Sequence, residues 1–489
     1  MFHHLFVAVF FLYTLLLFTV AWITSRKANN ESYFTGNRKS PWPVVAYGMI
    51  GASLSGVTFI SIPGWVESTQ FTYLMVVLGY LVGYVVITFV LLPIYYKLKL
   101  VSIYTYLEQR FGYYSYKTGA SFFLLSRTIG ASFRMFLVIS VLQLFIFDHW
   151  NIPFFVNTLI FVVLITLYTF KAGIKTIVWT DLLQTTFMLL SLVITLVVIS
   201  DDLQINLLHL WQKAGNAGYT RVFDFDWRSD RFYLKQFFSG MFITIVMTGL
   251  DQDMMQKNLT CRNLKDAQKN MLTLGVSLIP VNLLFLFLGA ALYLYAHNFG
   301  IAIPTLSDDL FPLLAMNHLG PVLAVVFLIG LIAAAYSSAD GAITALTTSF
   351  IYDILGRKNQ KGLDQRKQQH LRYRAHFFIS TIVVLVIVLF REINDQAVIA
   401  RLFTIAGYTY GPLLGLFSFG IFTKNQLNDK FVPLVAISAP LLSYVLSTNA
   451  DRWFNGYKFG FEILIVNGLL TFIGLYLIRN KKTTSDYYA

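Results

Sequence analysis

Two stretches of small and hydroxyl-bearing residues lie inside long apolar runs, where a plain lipid-facing helix would carry Leu, Ile and Phe. The first is Gly51-Ala52-Ser53-Leu54-Ser55-Gly56-Val57-Thr58, and the second is Ala333-Ala334-Ala335-Tyr336-Ser337-Ser338-Ala339-Asp340-Gly341. Unwound backbone at the bilayer centre is tolerated only where it lines a cavity, and its freed carbonyls are then hard oxygen ligands for a small cation. Close helix packing through small residues is the alternative for either stretch taken alone. In the second stretch Ser337 and Asp340 are three apart on one helical face, so a hydroxyl and a carboxylate converge. A carboxylate at membrane depth is costly unless it is paired or holds a cation, which makes Asp340 a functional candidate. Asp181 is expected to open the sixth apolar run, where a first-turn acid suits the helix dipole and lies near Asp340 in depth.

Arg127 and Arg134 are seven apart, hence on nearly the same face of the run 119–147. Neither can shed its proton, so each must face a polar cavity, an acid or an anionic ligand. The guanidinium fork matches a carboxylate in two parallel bonds. For Arg134 both a substrate anion and an internal partner remain open; for Arg127, nearer the cytoplasm, an internal acid is expected. The eight histidines are read as lying in loops or at the ends of runs, which gives no proton relay through the membrane. There is no Walker A sequence and no His-Glu-x-x-His, so neither ATP drive nor metalloprotease chemistry has a foothold. Gly407 to Pro412 interrupts the eleventh run with Gly and Pro, and Tyr408, Gly411 and Pro412 are read there as a hinge or gate.

Of the 489 residues 56% are apolar and only 12% charged, a composition that belongs in lipid. Cys261 is the single cysteine, so no disulfide framework or Cys metal cluster exists. Apolar runs begin with Leu5 to Thr24 and continue near 44–66, 73–96, 119–147, 153–170, 178–199, 236–255, 272–296, 320–352, 375–390, 401–423, 431–447 and 459–478. Thirteen membrane helices are therefore expected. The first run has no Lys or Arg before it and Arg26, Lys27, Arg38 and Lys39 after it, unlike a signal peptide, so the N-terminus is placed outside and the C-terminus inside. Most of the Lys and Arg then fall in alternate, cytoplasmic segments, including Arg357 to Arg374, and the net charge of +13 needs no nucleic-acid partner. Runs two to six and seven to eleven form two groups of five with opposite orientation, the parity an inverted repeat requires. The expected division is residues 1–40 (first helix and loop), 41–200 (first repeat), 201–235 (extracellular loop), 236–423 (second repeat) and 424–489 (two helices and a short tail).

Leu54-Ser55-Gly56-Val57-Thr58-Phe59, Arg110-Phe111-Gly112, Val178-Trp179-Thr180-Asp181-Leu182-Leu183-Gln184, the Ser337-Ser338 span and Gly407-Tyr408 with Gly411-Pro412 together resemble the sodium/solute symporter family over nearly the whole chain. That family includes sodium/glucose, sodium/proline and bacterial sialic acid transporters. The resemblance implies a leucine-transporter-type fold of five plus five helices, one helix before and two after. It implies a sodium site made by backbone carbonyls of Gly51, Leu54 and Ala334 and hydroxyls of Ser337 and Ser338. Some members bind a second sodium with the acid matching Asp181 and serines of the ninth span; here Asp181, Ser337 and Asp340 would form it, although Asp340 and Gly341 stand where further hydroxyls belong.

Sugar-transporting members use a Tyr-Trp pair in the seventh span and a Lys in the eighth; Thr244 to Leu250 carry no Tyr or Trp, and the eighth span has no Lys. The resemblance to the sialic acid members puts Ser53, Ser55, Thr58 and Arg134 at the solute. The expected activity is sodium-coupled import of a small polar solute, foremost a carboxylate such as sialic acid, across the plasma (inner) membrane, with sodium ions and the solute as partners and no obligate protein partner. A neutral sugar, amino acid or polyol is the alternative solute; a membrane sensor or channel on a transporter fold is the alternative class. The membrane potential contributes about 2.3 kcal/mol per charge per 100 mV, so two sodiums with a monoanion would be driven inward and one would not.

Overall fold

The computed structural model describes residues 3–26, 29–171, 173–356, 364–392 and 398–483. Lys27, the first seven residues of the basic segment from Arg357, and the tail from residue 484 lie outside them. The regular elements of the described chain are helices and a two-stranded antiparallel ribbon, Asn425–Leu427 with Arg479–Thr483. The principal helices are α1 (His3–Ser25), α2 (Trp42–Thr69), α3 (Tyr73–Lys97), α4 (Tyr113–Trp150), α5 (Phe154–Thr169), α6 (Ile174–Asp202), α7 (Tyr233–Thr244), α8 (Gln252–Asn258), α9 (Leu264–Asn298), α10 (Gly320–Ser349), α11 (Gln365–Arg391), α12 (Val398–Thr409), α13 (Gly411–Phe422), α14 (Val432–Thr448) and α15 (Ile463–Leu477). Nine helices among the described residues are long and apolar enough to cross a membrane, ten when the bent pair α12–α13 is one span. The remaining expected runs are the shorter α5 and α15 and the interrupted α7–α8.

Three interruptions shape the bundle. Pro41 in an extended conformation and Pro43 in the first turn start α2, a place where a missing amide costs nothing. Inside α2, Ser55 has φ 52° and ψ 174°, a backbone region close to glycine-only, so the helix is two half-helices joined at mid-length. Carbonyls of the turn before such a break have no amide four residues on. The second interruption was not visible as such in the run 236–255. There α7 passes through a π turn, Ile245–Gly249, and stops at Leu250; extended Asp251 then caps α8 by accepting from the amides of Asp253 at 2.9 Å and Met254 at 3.4 Å. The third is the 43° bend between α12 and α13, with Tyr410 between them, Pro412 in the first turn of α13, and the Asn467 amide of α15 donating to the carbonyls of Gly407 and Tyr408.

Glycines allow the helices around these breaks to touch. A Cβ on Gly48 would lie 2.8 Å from Asp181 Cβ, and one on Gly51 would collide with Thr185, so α2 lies directly on α6. The Thr185 hydroxyl fills the contact, accepting from the Gly51 amide at 3.1 Å and donating to the Gly48 carbonyl at 3.3 Å. On the far side α3 meets α7 through Gly79, Gly83 and Gly240. Burial separates core from lipid face: 89% of the most apolar window of α2 is inside the protein, against 22% for the helix at Asp429–Thr448.

Two local expectations change. Asp181 does not open its helix but lies about two turns inside α6, buried. His376 is not at a helix end: α11 begins ten residues before the apolar run, and His376 is buried beside Tyr33 Oη and Thr169 Oγ1, both at 3.0 Å. Its neighbours are neutral hydroxyls, so it ties helices together.

Gly240→Leu is expected to lower stability by about 1–3 kcal/mol through overpacking of α7 on α3. Thermal unfolding in detergent measures this, with Leu434→Val on the exposed face of α14 as the unchanged control.

Candidate functional site

The breaks in α2 and α7–α8 open onto one cavity. Its wall carries Ser53, Ser55 and Thr58 from α2, Arg127 and Arg134 from α4, Thr244 and Thr248 from α7 and its π turn, Met254 from α8 and Asn282 from α9, with Tyr73 and Tyr80 of α3 closing one side. About 710 Å³ there is free of atoms, a figure that includes open solvent at its mouth. All four residues expected at a solute, Ser53, Ser55, Thr58 and Arg134, line this single space.

The two arginines differ in what already neutralises them. Arg127 is buried between two acids of the α8 cap: its Nη2 pairs with Asp253 Oδ2, and its Nη1 lies 3.9 Å from Asp251 Oδ2. Asp251 also accepts from Tyr410 Oη at 2.7 Å, so the bend of α12–α13 is tied to the same cluster. This is the internal acid partner expected for Arg127. Arg134 is 8% exposed, forms no ion pair among the described residues, and its Nε has no hydrogen-bond partner. A buried guanidinium without an acid, facing a cavity with the hydroxyls of Ser53 and Thr58, is arranged to receive an anion.

The second half of α2 packs on α10, Phe59 against Phe327. Ser337 Oγ and Ser338 Oγ approach the Ala334 carbonyl at 3.3 and 3.4 Å, and both serines are buried. Three of the five expected sodium ligands thus lie on one turn of α10, a helix that packs on α2. The set is three carbonyls and two hydroxyls, neutral oxygens of the kind a hard monovalent ion takes.

Asp181 and Asp340 do not stand alone. Lys257, at the end of α8 and 1% exposed, pairs with Asp181 Oδ2 at 2.8 Å, and its Nζ is 3.5 Å from the Ser337 carbonyl. Asp340 accepts from Tyr168 Oη at 2.9 Å, from Thr180 Oγ1 at 3.5 Å and from the Gly341 amide at 2.6 Å. Lys257 was not singled out from the sequence, where it reads as one more base at the cytoplasmic end of a run. Recognising Asp251 as a helix cap after Thr248-Gly249 would have turned it inward.

Of the hinge residues, Gly411 and Pro412 sit at the bend, but Tyr408 faces away, its Oη 2.9 Å from Ser447 Oγ. Tyr410, two residues on, is the tyrosine that reaches the charged cluster. Gln252 and Gln256 hold backbone: Gln252 bonds the Val101 carbonyl and the Ile103 amide, and Gln256 the Phe34 carbonyl.

The profile of the sodium:solute symporter family matches residues 33–430. This chain belongs to the sodium:solute symporter family. Like its relatives it is a multi-pass membrane transporter that carries a small solute together with sodium, and not an enzyme. The symporter is 23% identical over 468 residues to the sodium/sialic acid symporter NanT of Aliivibrio fischeri, covering 91% of this chain and 88% of the relative. It is 22% identical to the sodium/sialic acid symporter SiaT of Proteus mirabilis (93% and 92% covered) and 24% to the human sodium/iodide cotransporter (80% and 61%). Its fold matches that of a Na+-coupled sialic acid symporter solved substrate-bound and outward-open, with TM-score 0.82, 19% identity and coverage of 98% and 99%. Mhp1, a nucleobase-cation-symport-1 family transporter in a closed conformation, matches at TM-score 0.57, 14% identity, and coverage of 93% and 95%. The symporter thus has the fold expected of leucine-transporter-type proteins.

Arg127→Ala strands Asp251 and Asp253 and is expected to cost about 3–5 kcal/mol of stability, whereas Arg134→Ala, which strands no acid, costs far less. Thermal unfolding of the two variants in detergent separates the structural arginine from the receptive one.

Proposed function

We propose that the symporter imports a small organic carboxylate, of which N-acetylneuraminate is the best single candidate, with the carboxylate held by Arg134 and polar groups met by Ser53, Ser55 and Thr58. The observation that carries this reading is the contrast within one cavity: Arg127 is neutralised twice, and Arg134 has no acid partner among the described residues. The names of the two sialic acid relatives, which align over nearly the whole chain, support the choice of acid.

Sodium is assigned to the carbonyls of Gly51, Leu54 and Ala334 and the hydroxyls of Ser337 and Ser338. An ion there would bridge the α2 break to α10 and steady the wall that carries Ser53 and Ser55, so cation and solute favour each other reciprocally. The path is read as thirteen crossings with the N-terminus outside and the C-terminus inside, in the plasma (inner) membrane, counting α5, α15 and the α7–α8 pair as short or broken spans. Residues 41–200 and 236–423 are assigned to the two repeats, with 1–40, 201–235 and 424–489 as the leading helix, outer loop and trailing helices. In support, the breaks in α2 and α7–α8 fall in the first span of each group, as corresponding discontinuous helices do in inverted repeats. Alternating access then turns on these breaks and on the bend at Gly411 and Pro412, with Tyr410 rather than Tyr408 linking the bend to the Arg127 cluster.

Uptake of labelled N-acetylneuraminate into proteoliposomes under an inward sodium gradient checks the reading. Wild type is expected to accumulate the acid with sodium and not with potassium, and Arg134→Ala to weaken apparent solute affinity about 30-fold or more, the scale of a truncated buried charge pair. Ser338→Ala is expected to raise the half-saturating sodium concentration by about tenfold, the scale of one lost ligand. Full sodium-driven uptake in Arg134→Ala overturns the assignment of the arginine.

A further inference from the structure

Of Asp181, Ser337 and Asp340, expected from the sequence to offer a place for a second sodium, the Asp181 carboxylate and the Ser337 carbonyl face a cation that belongs to the chain. Lys257 Nζ lies 2.8 Å from Asp181 Oδ2 and 3.5 Å from the Ser337 carbonyl. Its position is built in from a second side as well: a Cβ on Gly341 would come within 2.9 Å of both Cε and Nζ of Lys257. Asp253 Oδ1 would lie closer still, so Asp253 and Lys257 together occupy the space that a side chain at position 341 would need. Asp340, next along α10, turns its carboxylate to Tyr168, Thr180 and its own following amide. The charged groups around this point are Asp181 of α6, Asp340 of α10, and Asp253 of α8 with its partner Arg127 of α4.

We propose that the Lys257 ammonium is a tethered cation that takes the place of a second sodium among Asp181, Ser337 and Asp340, so that one sodium accompanies each solute. This rests on the symport reading and on the first sodium site. An ammonium carries the same single charge as sodium and donates hydrogen bonds to oxygens that would otherwise coordinate the ion. A sodium ion leaves with every cycle, whereas the lysine remains on its four-carbon stem. It therefore neutralises Asp181 in the buried bundle without moving charge across the membrane. A further cation entering the same oxygens would meet the ammonium at contact distance. With a monoanionic solute the cycle is then electroneutral.

The test is the number of radioactive sodium ions bound per chain by the purified full-length protein, which needs no solute. Wild type is expected to saturate at one sodium, and Ser338→Ala to reach the same count only at about tenfold higher sodium. Lys257→Met, which keeps the stem and removes the charge, is expected to bind a second sodium at the vacated Asp181 carboxylate, and Asp181→Asn with Lys257→Met to return to one. Two sodiums in wild type, or one in a folded Lys257→Met, overturns this proposal and leaves the first site standing. No sodium bound to wild type overturns the symport reading and this inference with it. If Lys257→Met does not fold, the wild-type count still decides.

Discussion

A charge inside a low-dielectric bundle must be matched by an opposite charge, by donors or by a ligand, and the core of this symporter is arranged around that requirement. Arg127, Arg134, Asp181, Asp251, Asp253, Lys257 and Asp340 are all buried, drawn from four helices that would otherwise have no reason to meet so closely. The break at Leu250 and Asp251 turns three of these groups inward, because a continuous α7 would carry Asp253 and Lys257 on toward the cytoplasm. Local cap chemistry thus decides global charge placement. Arg134 is the member of the group with no acid partner among the described residues.

The matched groups form one contiguous arrangement. From the cavity, Arg127 leads to Asp251 and Asp253 on α8; one turn further along the same half-helix, Lys257 leads to Asp181 on α6 and the Ser337 carbonyl on α10. Tyr410 joins the bend of α12–α13 to Asp251. A seven-residue helix therefore carries contacts to the solute cavity at one end and to the serine turn at the other. Any rigid movement of α8 must break or keep both sets together, which gives coupling between solute and ion a physical element on which to act.

The legible parts of the sequence were those written in residue type at membrane depth. Two glycines and three hydroxyls in eight residues marked the α2 break, and Ser55 sits at its turning point. Arg127 and Arg134, seven apart, are visible as one face, and the structure gives Arg127 two acids and Arg134 none among the described residues. Less legible were features that depend on register or on a partner far along the chain. Tyr408 and Tyr410 are equivalent by composition, and only the bend chooses between them. Lys257 lies at the end of an apolar run, indistinguishable from a topology-setting base until the cap at Asp251 is seen. Asp181, taken as a first-turn acid, is two turns deep because α6 begins before its apolar run. Short spans such as α5 and α15 were legible as apolar runs, although their helices fall below ordinary spanning length.

Two arginines line one cavity, Arg127 paired with two acids and Arg134 with none among the described residues. An experimental density map of the full-length protein with sodium and N-acetylneuraminate bound tests this difference most directly. The acid's carboxylate is expected on Arg134, with Arg127 still paired to Asp251 and Asp253. A carboxylate resting on Arg127, with either acid displaced, or an acid bound outside this cavity, would contradict it.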